Sequence, residues 1–119
     1  MTNAHQIKAA VAAAHARFGR LDVIVNNAGY GLFGALEEVT EQEVRRLFDV
    51  NVFGPLQVMQ AALPFLRGQR RGHLINISSI ASLAPIAGSA IYAAARVRSM
   101  DSRKAWRMKL RHWASRLLW

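Results

Sequence analysis

Two short apolar runs, Leu21 to Val25 and His73 to Ile77, limit the fold more than anything else in this chain, because the stretches between and around them have helical periodicity. A run of this length with no polar face fits a strand covered on both sides, and such strands belong to parallel sheets flanked by helices. Before the first run, Ile7, Ala10, Val11, Ala14 and Phe18 recur at helical spacing. They predict an amphipathic helix from about residue 3 to Phe18, stopped by Gly19. Between the runs, Thr40 and Glu43 have the spacing of a capping box, which opens a long helix to about Leu66. Its apolar stripe includes Val44, Leu47, Phe48, Leu56, Met59 and Leu63, and Gly54 with Pro55 should bend it. After the second run, residues 78–89 read as a loop of small residues, and a further helix should carry Tyr92. Helix, strand, helix, strand, helix is the order of an α/β doubly wound parallel sheet.

At 119 residues the chain holds one domain at most. It has no run of about 18 apolar residues that would span a membrane, and its polar N-terminus lacks a signal-peptide pattern. Zero cysteines exclude disulfides and thiolate metal sites. His5, His15, His73 and His112 have no metal-ligand spacing and are expected at the surface, so no metal site is predicted. A soluble, cytoplasmic chain is the expectation.

The chemistry concentrates in Tyr92-Ala93-Ala94-Ala95-Arg96. Moving a hydride between a nicotinamide ring and a carbonyl or alcohol carbon leaves a proton to be given to or taken from the oxygen, so a general acid/base must lie within hydrogen-bond reach. A tyrosine serves only if its pKa of roughly 10 is pulled toward neutrality. A neighbouring cation does this by favouring the phenolate. On a helix, position 96 lies on the same face as Tyr92, and it holds arginine. Asn51 has a local argument of its own: Pro55, four residues on, has no N–H for the Asn51 carbonyl, which is left free to hold a water.

Four segments, Val25-Asn26-Asn27-Ala28-Gly29, Phe48-Asp49-Val50-Asn51-Val52, Ile75-Asn76-Ile77-Ser78-Ser79 and Tyr92-Ala93-Ala94-Ala95, resemble those of classical short-chain dehydrogenases/reductases in order and spacing, over residues 3–95. The resemblance implies a partial Rossmann-like sheet and NAD or NADP as cofactor. It implies Tyr92 as acid/base, Ser79, not Ser78, as the residue that holds the substrate oxygen, and Asn51 as support for a relay water. The turn Asn26, Asn27, Ala28 and Gly29 would close a strand against the cofactor, with Asn27, Ala28, Gly29 and Tyr92 as its contacts. The substrate would be a small carbonyl or alcohol compound. Where the family has a lysine that activates the tyrosine, anchors the nicotinamide ribose and joins the proton relay, this chain has Arg96. A guanidinium is permanently charged but does not readily pass a proton, so the site is expected to be catalytically incompetent as it stands.

Two further departures shape the expectation. A nucleotide-binding half of this type opens with a strand and a glycine-rich turn that receives the pyrophosphate, and the sequence contains no such turn. Nor does it contain the family's later strands. Met1 falls where the family has a valine, and the valine codon GTG can serve as a bacterial start, which suggests a start internal to a longer gene. Residues 96–119 carry eight Lys and Arg against one Asp, and all three tryptophans. Read from the third nucleotide of each codon, Met100-Asp101 gives Gly, Met108-Lys109 gives Glu, and His112-Trp113-Ala114 gives Leu-Gly. These fall in a string similar to what the family carries after its lysine, and the same frame permits a lysine codon across Ala95 and Arg96. The chain is therefore read as a central Rossmann fragment over residues 1–95 and a basic tail of frameshift origin over residues 96–119, with the family's homo-oligomer interface impaired. The alternative is a non-catalytic chain whose tail places Trp106, Leu110, Trp113 and Leu117 on one helical face for acidic membranes or nucleic acid. No sequence-specific nucleic-acid recognition is expected.

Overall fold

The computed structural model describes residues 3–96 and 116–118. Helix α1 (Ala4–Phe18) starts where Asn3 caps it, the Asn3 side chain accepting the backbone N–H groups of His5 at 3.0 Å and Gln6 at 3.2 Å. It stops at Gly19, whose φ of 75° suits a residue without Cβ. The capping box at Thr40 opens α2 (Glu41–Phe48): the Thr40 hydroxyl accepts the Glu43 N–H, and the Glu43 carboxylate accepts the Thr40 N–H at 2.9 Å.

The long helix does not simply bend at Gly54 and Pro55. Between α2 and α3 (Gly54–Gln69) it widens into a π-helical turn over Asp49–Phe53, in which the Gly54 N–H reaches the Asp49 carbonyl. Pro55 cannot donate, and the wider turn absorbs the missing bond; such turns are frequent at functional sites. The helix also runs past Leu66, through Gly68 to Gln69, before Arg70 turns it off with φ 56°.

Strands β1 (Val23–Asn26) and β2 (His73–Asn76) pair in parallel, Val23 opposite His73 through Asn26 opposite Asn76. The third strand, β3 (Arg116–Leu118), adds to the free edge of β2, giving the order β1-β2-β3. Leu117, expected on a helical face, stands in register with Leu74. Its expected companions Trp106, Leu110 and Trp113 lie outside the described residues, as does His112.

The core fills one face of the sheet. Met59, Ala62, Leu63 and Leu66 of α3 pack with Leu74, joined by Val11, Leu21, Ile24 and Leu56. Against the expectation of strands covered on both sides, Val23 and Val25 are 51% and 53% exposed on β1. His15 is half-buried, stacked on Phe65 at 4.3 Å where α1 meets α3, and His73 is half-buried within β2; only His5 among the described histidines has the surface position expected of all. Among the described residues no helix is long and apolar enough to cross a membrane.

Candidate active site

The segments that follow β1 and β2, together with the helix over residues 90–96, converge beyond the carboxyl ends of the strands, where open α/β sheets bind their ligands. The base is a buried pair: Asn26 donates through Nδ2 to Asn76 Oδ1 at 2.6 Å across β1 and β2, and Asn76 Nδ2 lies 3.6 Å from the Met59 sulfur. Equivalent positions in the register bring these amides together, and the pairing holds the two strand ends level before their loops diverge.

Asn51 lies in the π-helical turn and is fully buried. Its side chain binds the Tyr30 backbone twice, accepting the Tyr30 N–H at 3.1 Å and donating to the Tyr30 carbonyl at 2.8 Å. These bonds belong to the side-chain amide, which ties the turn after β1 to the α2–α3 helix. Asn27, Ala28 and Gly29 are exposed along that turn. A Cβ on Gly29 would stand 2.4 Å from an Arg96 guanidinium nitrogen and 2.7 Å from Asn51 Oδ1, so only glycine permits this close approach.

Ser79 ends the stretch after β2 and caps the 3-10 turn Ile80–Ser82, its hydroxyl accepting the Ala81 N–H at 3.2 Å. Ser78, the alternative, hydrogen-bonds the Ser82 hydroxyl instead. The helix over residues 90–96 follows Ser89, whose carbonyl accepts the Ala93 N–H at 2.8 Å, and presents Tyr92 and Arg96 on one face. Arg96 Nε donates to the Tyr92 hydroxyl at 3.2 Å, its carbon Cζ lies 5.3 Å from the Tyr92 ring centre, and Nη1 donates to the Ile77 carbonyl at 3.2 Å.

Arg96 is 7% exposed, and among the described residues no ion pair joins it to a carboxylate. A buried cation demands compensation, here from a carbonyl dipole, an aromatic face and a phenol that gains by ionising. The Tyr92 hydroxyl is accordingly held below the usual tyrosine range, chiefly by the hydrogen bond from Ser79, then by the hydrogen bond and charge of Arg96, while partial burial opposes the shift. Asn26, Asn51, Asn76, Ile77 and Arg96 enclose a void with room for no more than about one water.

The structure therefore brings Asn51, Ser79, Tyr92 and Arg96 together beside the turn Asn27–Gly29. Sequence reasoning missed the Tyr30 backbone as the partner of Asn51 and Phe33 as a neighbour of Tyr92, the two rings lying 6.0 Å apart. The only signal for either is the density of glycines at 29, 31 and 34, which lets this segment fold back on itself.

The short chain dehydrogenase family matches residues 1–114. A 3-ketodihydrosphingosine reductase of Bacteroides thetaiotaomicron is 42% identical over 96 residues, 81% of this chain and 36% of that protein. A short-chain dehydrogenase from Streptomyces avermitilis superposes with a TM-score of 0.92 at 36% identity, covering 98% of this chain and 43% of the other. A metagenomic short-chain oxidoreductase in complex with NADP superposes with a TM-score of 0.89 at 34% identity, covering 98% and 52%. The chain spans about a third of the length of the curated relatives it matches.

Proposed function

The chain belongs to the short-chain dehydrogenase family, and from that premise we propose that it carries the proton-transfer part of an NAD(P)-dependent oxidoreductase site, tuned at Tyr92 but unable to turn over as it stands. The substrate class is a carbonyl or alcohol compound, and the compartment proposed is the cytoplasm. The observation that carries the reading is the hydrogen bond from Arg96 Nε to the Tyr92 hydroxyl at 3.2 Å. With Ser79 and the Arg96 charge it favours the phenolate, so the Tyr92 hydroxyl is a stronger acid than free tyrosine.

Residue by residue, the chain's own part is as follows. The Ser79 hydroxyl, beside Tyr92, positions a substrate oxygen. Tyr92 delivers its proton to that oxygen in reduction, or accepts it in oxidation. Asn51 holds the turn Asn27–Gly29 in place through Tyr30. Arg96 stabilises the phenolate that remains.

The next transfer, which must restore the Tyr92 proton, has no competent neighbour. A guanidinium stays protonated throughout any accessible pH, so Arg96 fixes the charge without relaying it. This is where the exchange of lysine for arginine costs the reaction.

NAD or NADP would supply or accept the hydride. The residues present fit the nicotinamide end of such a molecule: an exposed turn at Asn27–Gly29 beside a half-exposed tyrosine hydroxyl. They do not fit its pyrophosphate, because among the described residues no glycine-rich turn opens a helix. The test is nicotinamide absorbance with a panel of carbonyl compounds. No turnover and no measurable cofactor binding are expected, and Tyr92-dependent reduction would sink the proposal.

We also propose residue 95 as the point where the family pattern ends. The match to the family itself extends over residues 1–114, so the proposed boundary rests on the shift in charge and tryptophan content from Arg96 onward. Nucleotide sequence through codons 95 to 119 should return to the family pattern in the shifted frame; a shifted frame without that pattern would count against the boundary.

A further inference from the structure

The rim of the site differs in kind from its base. Phe33, Leu36, Ile80, Leu83 and Ile86 are 62%, 65%, 80%, 77% and 66% exposed, and all five lie in the segments that follow β1 and β2. No Asp, Glu, Lys or Arg occurs in residues 23–36 or 72–95, although the whole chain carries 16 basic and 7 acidic residues. Large apolar side chains on loose loops would mean little. These are held on a hydrogen-bonded frame.

The Ile80 carbonyl accepts the N–H groups of Leu83 and Ala84, both at 2.9 Å, so the backbone between Ile80 and Leu83 is fixed. Ser89 is fully buried and closes the next turn, accepting the Ile86 N–H at 3.1 Å and donating to the Ile86 carbonyl at 2.7 Å. The two loops are joined to each other by the Gly34 N–H, which donates to the Gly88 carbonyl at 3.0 Å. Gly88 takes φ 73° with Gly34 backbone 3.5 Å from where its Cβ would be, a position that favours glycine on both counts. Phe33 folds back against Gly31, where a Cβ would meet its ring at 2.6 Å, and in that pose it comes within 6.0 Å of the Tyr92 ring.

A fixed, charge-free apolar rim with a few convergent polar groups at its floor has the make-up of a small-molecule pocket wall. We propose that the substrate is a neutral ketone or secondary alcohol with an apolar chain or ring next to the reacting carbon. Its oxygen lies at Ser79 and Tyr92, and its body lies against Phe33, Ile80, Leu83 and Ile86. A carboxylate or phosphate on such a compound would be desolvated against these side chains without a counterion. A polyhydroxylated one would leave its hydroxyls unpaired there.

This assignment rests on the oxidoreductase reading of Tyr92, and the experiment separates the two. The full chain, with isoleucine and leucine methyl groups and tyrosine rings labelled, is titrated with 2-octanone, with dihydroxyacetone and with pyruvate, and the methyl and ring signals are followed by NMR at a protein concentration where sedimentation shows monomer. Saturable shifts at Ile80, Leu83 and Ile86 are expected with 2-octanone alone. Leu83→Asp should weaken that binding at least about tenfold. Ile80→Ser, a milder change, serves if the aspartate variant does not fold, and should weaken it several-fold.

Equal shifts with all three compounds, or with none, would overturn the substrate class. So would rim shifts that follow protein concentration instead of ligand, since a second copy of the chain would then cover the rim. If dihydroxyacetone shifts signals beside Tyr92 and 2-octanone does not, the substrate class fails while the reading of the site stands. If 2-octanone binds the rim yet leaves the Tyr92 ring signals unmoved, the apolar rim stands and the reading of Tyr92 fails.

Discussion

The base of this site, on strand ends and helices, and its rim, on the loops after β1 and β2, obey opposite rules. At the base, Asn26, Asn51, Asn76 and Arg96 are buried polar groups, each held by specific partners. At the rim, the side chains are apolar, uncharged and left in solvent on a fixed backbone. The difference teaches where each part of the molecule draws its constraint. The base is constrained by the fold itself, because an unpaired buried amide or cation costs stability. The rim contributes little to the packing of the described residues.

Substitutions at the base and at the rim should therefore differ sharply. Asn51→Ala should have the largest effect: it removes a fully buried side chain and leaves the Tyr30 N–H and carbonyl without their partners, a loss of about 2–3 kcal/mol. Urea denaturation of the two proteins measures it, and a loss near zero would break the contrast. Gly29→Ala comes next, at about 1–3 kcal/mol for forced overpacking, because its Cβ must displace the Arg96 guanidinium and crowd the locked Asn51 amide. The same variant should also raise the Tyr92 pKa, which distinguishes displacement of Arg96 from general loosening. At the rim, Ile80→Ser and Leu83→Ser should change stability by no more than about 0.5 kcal/mol while abolishing the rim's apolar character. A rim substitution as damaging as Asn51→Ala would show that these side chains pack in the folded chain after all.

Local features of the fold were legible in the sequence, and features that depend on register were not. The Asn3 to Gly19 helix and the Thr40–Glu43 box are decided within a few residues, so spacing alone finds them. The π-helical turn at Asp49–Phe53 needs both a proline and a buried Asn51 reaching Tyr30, a contact 21 residues away, and spacing predicts only a bend. The Asn26–Asn76 pair spans 50 residues and exists because the strands align in one register. An apolar strand in a parallel sheet is normally buried on both faces, yet Val23 and Val25 are exposed, because only one face of this sheet is covered by the helices described.

For the site, Asn51, Ser79, Tyr92 and Arg96 could be named from sequence because a family pattern carries them. What Arg96 touches could not. Its reach to the Ile77 carbonyl and to the space at Gly29 depends on how the helix over residues 90–96 docks against β2. The rim was visible only as a loop of small residues over 78–89; its outward orientation comes from hydrogen bonds at Ile80, Gly34 and Ser89 that no periodicity reports.

An acid/base unit of Ser79, Tyr92 and Arg96 is tested most directly at the Tyr92 phenol. Tyr30 and Tyr92 are the only tyrosines, so in a Tyr30→Phe background a titration of phenolate absorbance reports Tyr92 alone. Because its folded pKa is lowered, the phenolate should form below pH 10 in the native chain, and the stability gained from this group should appear as pH rises through the depressed folded value and be complete above the unfolded value of roughly 10. Ser79→Ala should move the titration upward the most and Arg96→Gln upward as well. A Tyr92 that titrates like free tyrosine, and that neither variant moves, would contradict the central claim.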